Sequence, residues 1–295
     1  DVGTQSCRLL ISDGRDLVRL AVVTHLGRGV RDRRSFDPER LAATLEALQR
    51  FRALMDDHGV RAARGIATEV VRLAADPDAF LGPAGEVLGV PLELVDGEEE
   101  GRLAFAGATA HLEGSGAPFV TMDLGGGSCE FAVGAERCEA VWSASFGASV
   151  LTEAYIESDP PRPEELSAAL SVVEAHLDEV ARAVPAVPEA RTFIGLGGTF
   201  TTMAAVEIGL DPYDRDVVNG FALTKAAAED VFRTLVTERF ADRIHNPGLL
   251  EARGHTIVGG ACAVVAIMRF FGLDEVRTSD DDLLDVRPVL DAVRP

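Results

Sequence analysis

Three features of this 295-residue sequence predict an α/β fold. Segments of strand and helix character are mixed along the whole length. Glycine-rich turns stand at the ends of apolar runs. One stretch also recurs: "DVGTQSCRLL" opens the chain and "DLGGGSCEF" begins at Asp123, so Asp1 lies over Asp123, Gly3 over Gly125, Ser6 over Ser128 and Cys7 over Cys129. Both copies run into an apolar segment, a turn and a second apolar segment. The repeat predicts two similar domains, 1–116 and 117–295, divided at the "EGSGAPF" stretch just ahead of the second copy.

In the first half, "DVGTQSCRLLIS" leads to an Asp13-Gly14 hairpin turn, with "LVRLAVVTHL" as the return strand. "SFDPERLAATLEALQRFRALMDDHG" is a helix. Asp37 caps it, Pro38 suits its first position and Gly59 ends it, with Leu41, Leu45, Leu48 and Met55 as the buried stripe. The stretch from Val60 to Gly89 predicts a strand, then helical pieces broken at Pro77 and Pro83. "VPLELVDG" is a strand leading into a helix that opens with Glu98, Glu99 and Glu100.

The second half repeats the plan. "FVTMDLGGGSCEFAVGAERCEAVWSASFG" reads as strand, glycine turn, strand, hairpin and strand. A helix with Pro163 near its start follows, then the strand, glycine turn and helix of "RTFIGLGGTFTTMAAVEIG". Two more helices, the second largely buried, precede a last strand and a last helix in "LDEVRTSDDDLLDVRPVLDAVRP".

The charge balance bounds the function: 48 acids face 28 bases, a formal charge of −20, and Lys225 is the only lysine. So acidic a surface argues against binding nucleic acid or an anionic membrane. A polyanionic ligand would have to be held by a local arginine cluster, backbone N–H groups or a metal. Cys7, Cys129, Cys138 and Cys262 lack CxxC or metal-site spacing and read as reduced core residues of a cytoplasmic protein. The longest apolar run, Ile257–Met268, is too short to span a bilayer. The chain begins at Asp rather than Met, so part of the native N-terminus is expected upstream.

The turns carry the chemistry. Glycines in a strand-turn-strand let backbone N–H groups approach a ligand, and Ser or Thr hydroxyls add donors. An Asp at the strand end can hold a metal ion or orient water. Two such hairpins facing across a cleft would grip a phosphate chain. A third turn, "GLGGTFTT" (Gly195–Thr202), precedes a helix and has the form of an anion site at a helix N-terminus, without the Lys-Ser/Thr pair of a Walker A loop.

Six motifs in order resemble the exopolyphosphatase/guanosine-pentaphosphate phosphohydrolase (Ppx/GppA) family of the actin/Hsp70/sugar-kinase superfamily. They are "DVGTQSCRLL", "ATEVVR" (Ala67–Arg72), "DGEEEGRL" (Asp96–Leu103), "DLGGGSCE", "FGASVLTE" (Phe146–Glu153) and "GLGGTFTT". The resemblance implies two actin-like (ribonuclease H-like) domains with an interdomain cleft. It also implies release of terminal phosphate from inorganic polyphosphate or pppGpp with Mg²⁺ or another divalent cation. Glu100, just before Gly101-Arg102, matches the proposed base that activates water, and Arg72 a basic position near the phosphates. The matched phosphate-binding positions are Gly3, Thr4, Gln5, Ser6 and Arg8 in the first turn, Gly125, Gly126, Gly127 and Ser128 in the second, and Gly197, Gly198 and Thr199 in the third. Asp123 and Glu130 match the metal-associated carboxylates, and Asp1 the corresponding acid of the first loop. The implied ligand is polyphosphate or a guanosine polyphosphate, and family members are often dimers.

The sequence departs from the family pattern in places. Gln5 replaces Asn, Val150 stands where Arg is frequent, "RGHTI" (Arg253–Ile257) replaces R-A-D-V-I, and "SDDDLLDV" (Ser279–Val286) puts Asp282 and Leu284 where Gly and Arg would stand. Lost positive charge and added acid predict weaker polyanion binding. Extra C-terminal helical domains of larger relatives are not seen, so a preference for short chains is expected. Two other readings stand beside the hydrolase: a non-catalytic binder of these polyanions, and an actin-like kinase, for which no acceptor signature is visible.

Overall fold

In the computed structural model the described residues are 1–112 and 114–286, and the chain divides into two units after Glu100: Asp1–Glu100 with Val286, and Gly101–Asp285. The division falls earlier than the expected boundary between residues 116 and 117. The cause is the helix Gly97–Thr109, whose Ala104, Phe105 and Ala108 are buried with Phe119, Ala132, Ile194 and Leu196 of the second unit. Packing, not the Gly-Ser-Gly composition, decides where the chain changes unit.

In the first unit, β1 (Ser6–Ser12) and β2 (Asp16–Val23) form the expected antiparallel hairpin. They are followed by α1 (Val30–Arg33), α2 (Pro38–Asp57), β3 (Gly65–Ala67), α3 (Glu69–Leu73), α4 (Asp78–Leu88), β4 (Leu92–Leu94) and the start of α5 (Gly97–Thr109). β3 and β4 pair in parallel. Val2 bridges Cys7 on one side and Ala67 on the other, linking the hairpin to the parallel pair. The Asp37 carboxylate accepts from the N–H groups of Glu39 (3.0 Å) and Arg40 (3.3 Å), capping α2 as expected. The buried face of α2 is Thr44, Ala47, Leu48, Phe51 and Met55, with Leu41 and Leu45 only partly covered. Pro83 does not break α4. The ring removes one N–H, but Phe80, Ala84 and Leu88 at four-residue spacing are buried in the core and hold the helix through it.

The second unit is built on a six-stranded sheet. Its strands are β5 (Phe119–Leu124), β6 (Cys129–Gly134), β7 (Cys138–Ala144), β8 (Thr192–Leu196), β9 (Ala222–Thr224) and β10 (Glu275–Thr278), in the order β7-β6-β5-β8-β10-β9. β5, β8 and β10 run parallel; β6, β7 and β9 are antiparallel to their neighbours. Every residue of β5 and β6 is buried, as fits strands covered on both faces. The helices are α6 (Ala148–Tyr155), α7 (Pro163–Ala183), α8 (Gly198–Ile208), α9 (Arg215–Val218), α10 (Lys225–Thr237), α11 (Phe240–Arg243) and α12 (Ile257–Phe270). α12 is buried from Ile257 to Met268 and packs on α6, α7, α8 and α10. Among the described residues no helix is long and apolar enough to cross a membrane. The last helix expected from the sequence lies outside the described residues.

At the start of α7, Glu165 accepts hydrogen bonds from the Arg162 N–H (2.8 Å), the Arg162 guanidinium (2.8 Å) and the Ser158 hydroxyl (2.9 Å). These donors, the backbone N–H foremost, hold its carboxyl down to about 2.

Candidate active site

The repeated stretches fold into the same turn. In the first, the Gly3 N–H donates to the Ser6 carbonyl at 3.0 Å and Val2 pairs with Cys7; in the second, Gly125 donates to Ser128 at 3.0 Å and Leu124 pairs with Cys129. The residues that superpose in sequence therefore take the same places in the backbone. Each turn is also held from behind by its carbonyls. The N–H groups of Ala148 and Ser149 at the start of α6 donate to Gly125 (3.0 Å) and Gly126 (2.9 Å). In the first unit Gly27 donates to Thr4, and Thr24 and His25 to Gln5, each at 2.9 Å. A trans peptide points its N–H opposite its C=O. The N–H groups of Gln5, Ser6, Gly126 and Gly127 are thus turned away from these clasps, as a backbone anion cradle requires.

Of the positions at which the copies differ, one changes the charge: Arg8 in the first is Glu130 in the second. Arg8 lies opposite Asp1, with which it exchanges both backbone bonds (2.9 and 3.0 Å), and its Nε and Nη2 donate to Asp1 Oδ2 at 2.9 and 2.8 Å. Glu130 lies opposite Asp123. Directly opposed residues of an antiparallel pair point to one face, so the second turn sets two carboxylates side by side where the first sets an ion pair. Both are buried, Asp123 at 7% and Glu130 at 1% exposure. Ser143, opposite Glu130 on β7, donates its hydroxyl to Glu130 Oε1 at 2.7 Å. Ser143 was not legible in the sequence, because only the strand register brings it to Glu130.

The third turn lies against the second. Gly197 has φ +86°, open to glycine, and a Cβ there would stand 2.6 Å from the Leu124 carbonyl and 3.1 Å from Asp123 Oδ1. Gly198 and Thr199 open α8, and the Arg253 guanidinium occupies the space a side chain at Gly198 would need. Tyr213 stands near Thr201 and Asp280 beside this turn. Burial, with the Asp280 carboxylate, pushes its phenol above the usual range. Arg253 sits in the departing "RGHTI" segment, so its place at the third turn was hidden by the mismatch around it.

Within the first unit, Arg72 Nη1 stands 3.8 Å from Glu100 Oε2 and donates to the Val95 carbonyl. The structure thus brings together the expected base and the expected basic residue. Asp96 accepts from the Glu99 N–H at 2.8 Å at the start of α5, and Glu98 and Glu99 suit the positive end of that helix. Glu69 is a further member that sequence reasoning missed, although it fills the first variable place of "ATEVVR". Its Oε1 accepts from Arg31 Nη2 at 2.8 Å. Burial pushes the Glu69 carboxyl up, against the lowering pull of Arg31 and Arg72.

All four cysteines are free. Burial holds the Cys7 thiol up to about 11 and the Cys262 thiol up to about 12; Cys129 is raised well above the usual thiol value by burial and by Glu130 and Asp123. Cys7, Cys129 and Cys262 are core thiols, not thiolate nucleophiles, whereas Cys138, expected in the core, is only partly buried.

A model of the Ppx/GppA phosphatase family matches residues 11–283. The chain belongs to that family. Exopolyphosphatase 2 of Mycobacterium tuberculosis is 34% identical over 303 aligned residues, covering 97% of this chain and 95% of that protein. The crystal structure of an exopolyphosphatase-like protein matches with TM-score 0.93 at 31% identity, covering 98% of this chain and 96% of that one. The Aquifex aeolicus family member matches with TM-score 0.80 at 28% identity, covering 99% and 95%. These Ppx/GppA relatives share the mixed α/β fold across almost the whole length, so the chain is an exopolyphosphatase homologue within a family of phosphohydrolases.

Proposed function

We propose that this chain is a metal-assisted phosphoanhydride hydrolase that releases terminal phosphate from inorganic polyphosphate or pppGpp. The observation that carries the reading is the buried Asp123–Glu130 pair at the root of a glycine turn whose first-unit counterpart is an Asp–Arg ion pair. Two adjacent carboxylates attract a cation, and Mg²⁺ suits them because it commonly takes one or two carboxylates and fills its shell with water and phosphate oxygens. Among the described residues no three His, Cys, Asp or Glu side chains are grouped so as to hold a metal. A divalent cation bound by Asp123 and Glu130 would supply positive charge against the phosphoryl oxygens. Asp1, ion-paired to Arg8, is better suited to orienting that guanidinium than to ligation.

The chain's own groups would do the rest. The N–H groups and hydroxyls of the Gly3–Ser6, Gly125–Ser128 and Gly197–Thr199 turns would bind phosphoryl oxygens. Glu100 would accept a proton from the attacking water, with Arg72 favouring its ionised form and drawing phosphate alongside. Phosphoryl transfer needs positioning and charge neutralisation more than covalent help, which is what these groups offer. The likeness to Exopolyphosphatase 2 favours polyphosphate as substrate.

The test is phosphate release from graded polyphosphates, pppGpp and ATP, with and without Mg²⁺. Release from polyphosphate or pppGpp that needs the cation, with none from ATP, is the expected result. Binding with no release from any substrate would make the chain a polyanion sensor, and ATP turnover only with an added acceptor would make it a kinase.

A further inference from the structure

The segment "GRGVRDRR" (Gly27–Arg34) is unlike the rest of this acidic chain. It carries Arg28, Arg31, Arg33 and Arg34 with Asp32 as its single acid, in a protein where acids outnumber bases 48 to 28. All four arginines are exposed. The backbone ties the segment to two parts of the proposed site within the first unit. At its start, Gly27 donates to the Thr4 carbonyl at 2.9 Å, on the back of the first glycine turn. At its end, the Ala75 N–H donates to the Arg34 carbonyl at 2.7 Å, just past α3, the helix that carries Arg72. Arg31, paired with Glu69 at 2.8 Å, joins α1 to the same helix.

Two of the arginines have partners: Arg31 has Glu69, and Arg33 has the Arg28 carbonyl (2.9 Å) and Asp37 (3.7 Å). The side chains of Arg28 and Arg34 have no hydrogen-bond or ion-pair partner among the described residues. In a chain of charge −20, two exposed arginines on a segment tied by backbone bonds to the first glycine turn and to the end of α3 make a local positive field. Their planar forks match phosphate oxygens. Between Arg28 and Arg34 there is no aromatic side chain on which a base could stack, so a chain of phosphates without bases fits better than a nucleotide or RNA.

We propose that Arg28 and Arg34 bind phosphates of an inorganic polyphosphate chain beyond the one being cleaved, so that the loop is a chain-length-dependent binding track. For its substrate this rests on the hydrolase reading above. The experiment compares tripolyphosphate with long-chain polyphosphate as substrates for the wild type, for Arg28→Glu/Arg34→Glu, and for Arg50→Glu/Arg61→Glu, which makes the same charge change at exposed sites outside the loop. With exposed ion contacts of modest strength, the loop variant should raise KM for the long chain about tenfold. Its kcat, and KM for tripolyphosphate, should stay within about twofold, and the control within about twofold for both substrates. An equal rise for both chain lengths, an equal rise in the control, or no rise at all would overturn the proposal. Thermal melting checks that the variants fold, and the milder Arg28→Gln/Arg34→Gln should move KM the same way by less. Binding of long-chain polyphosphate without turnover, measured by calorimetry in EDTA, separates the two claims. If the wild type hydrolyses nothing, the hydrolase reading fails, while the track still stands or falls on about a tenfold loss of binding in the loop variant. Single-stranded RNA competing as well as polyphosphate would overturn the choice of a base-free ligand.

Discussion

Gly147→Ala tests whether the second glycine turn is a built anion cradle. Gly147 precedes α6, and a Cβ there would stand 2.5 Å from both the carbonyl carbon and oxygen of Gly126 and 2.7 Å from the Gly127 nitrogen. Ordinary contact begins near 3.4 Å, so the turn would have to retreat by about 1 Å. That retreat pulls the Gly125 and Gly126 carbonyls from the Ala148 and Ser149 donors, at about 1 kcal/mol per bond. Overpacking adds about 1–3 kcal/mol, for a total of about 3–5 kcal/mol. The melting point should fall by about 6–20 °C for a domain of this size. Since a 1 Å misplacement of reacting groups costs about 10²-fold, kcat/KM for polyphosphate should drop by about that factor. The assay is Mg²⁺-dependent phosphate release beside thermal melting. A variant that melts lower yet hydrolyses at the wild-type rate would show that the turn is a packing feature and refute its role.

Gly82→Ala, in α4 with nothing within 4 Å of the added carbon, should stabilise the protein by about 0.5–1 kcal/mol in denaturant melts and leave activity unchanged. Glu100→Gln should keep polyphosphate binding and lose about 10²–10⁴ in kcat; unchanged turnover would remove Glu100 from the mechanism. Ser143→Ala takes the hydroxyl from Glu130 and should raise the Mg²⁺ concentration for half-maximal rate about tenfold. Glu165, held down to about 2, contributes stability that is full above the ordinary glutamate value and is lost as pH falls through its folded value. Glu165→Gln should therefore cost stability at pH 7 but progressively less as melts are taken from about pH 4.5 toward pH 2.

Much of this was legible in the sequence because local chemistry and tertiary need agree. Asp37, Pro38 and Gly59 mark α2 because capping is a local matter. The repeated turn was legible because the same residue types recur at the same spacing, and the two copies close with the same backbone bond. What was hidden depends on register or packing. Ser143 reaches Glu130 through a strand pairing, Arg31 meets Glu69 across 38 positions, and Pro83 is tolerated because of the core beneath it. The unit boundary was misplaced for the same reason: a helix belongs where its apolar face is buried, and composition does not report that.

The acidic "SDDDLLDV" segment bears on the expected loss of polyanion affinity, and its acids have local work. Arg215 in α9 faces Asp280 at 3.4 Å and Asp285 at 3.7 Å and is in direct contact with Asp281. Asn219 donates to Asp281 at 2.9 Å and accepts from the Asp280 N–H at 3.2 Å. Asp282 accepts from the Leu284 N–H at 2.8 Å, while its own N–H donates to Asp285 at 2.9 Å. Its carbonyl lies against Gly107, leaving no room for a side chain at that point of α5. Carboxylates drawn around one guanidinium and onto backbone donors project less negative field than the same charges free in solution. The segment is then a clamp between the end of β10 and α9, and its acids need not repel a phosphate chain as their number alone would suggest. By the same logic the difference between Arg8 and Glu130 outweighs the other departures. One difference within a duplicated turn converts a neutral pair into a cation-seeking one, and under the proposed hydrolase reading it would place the metal at one copy while leaving both able to offer N–H groups to phosphate.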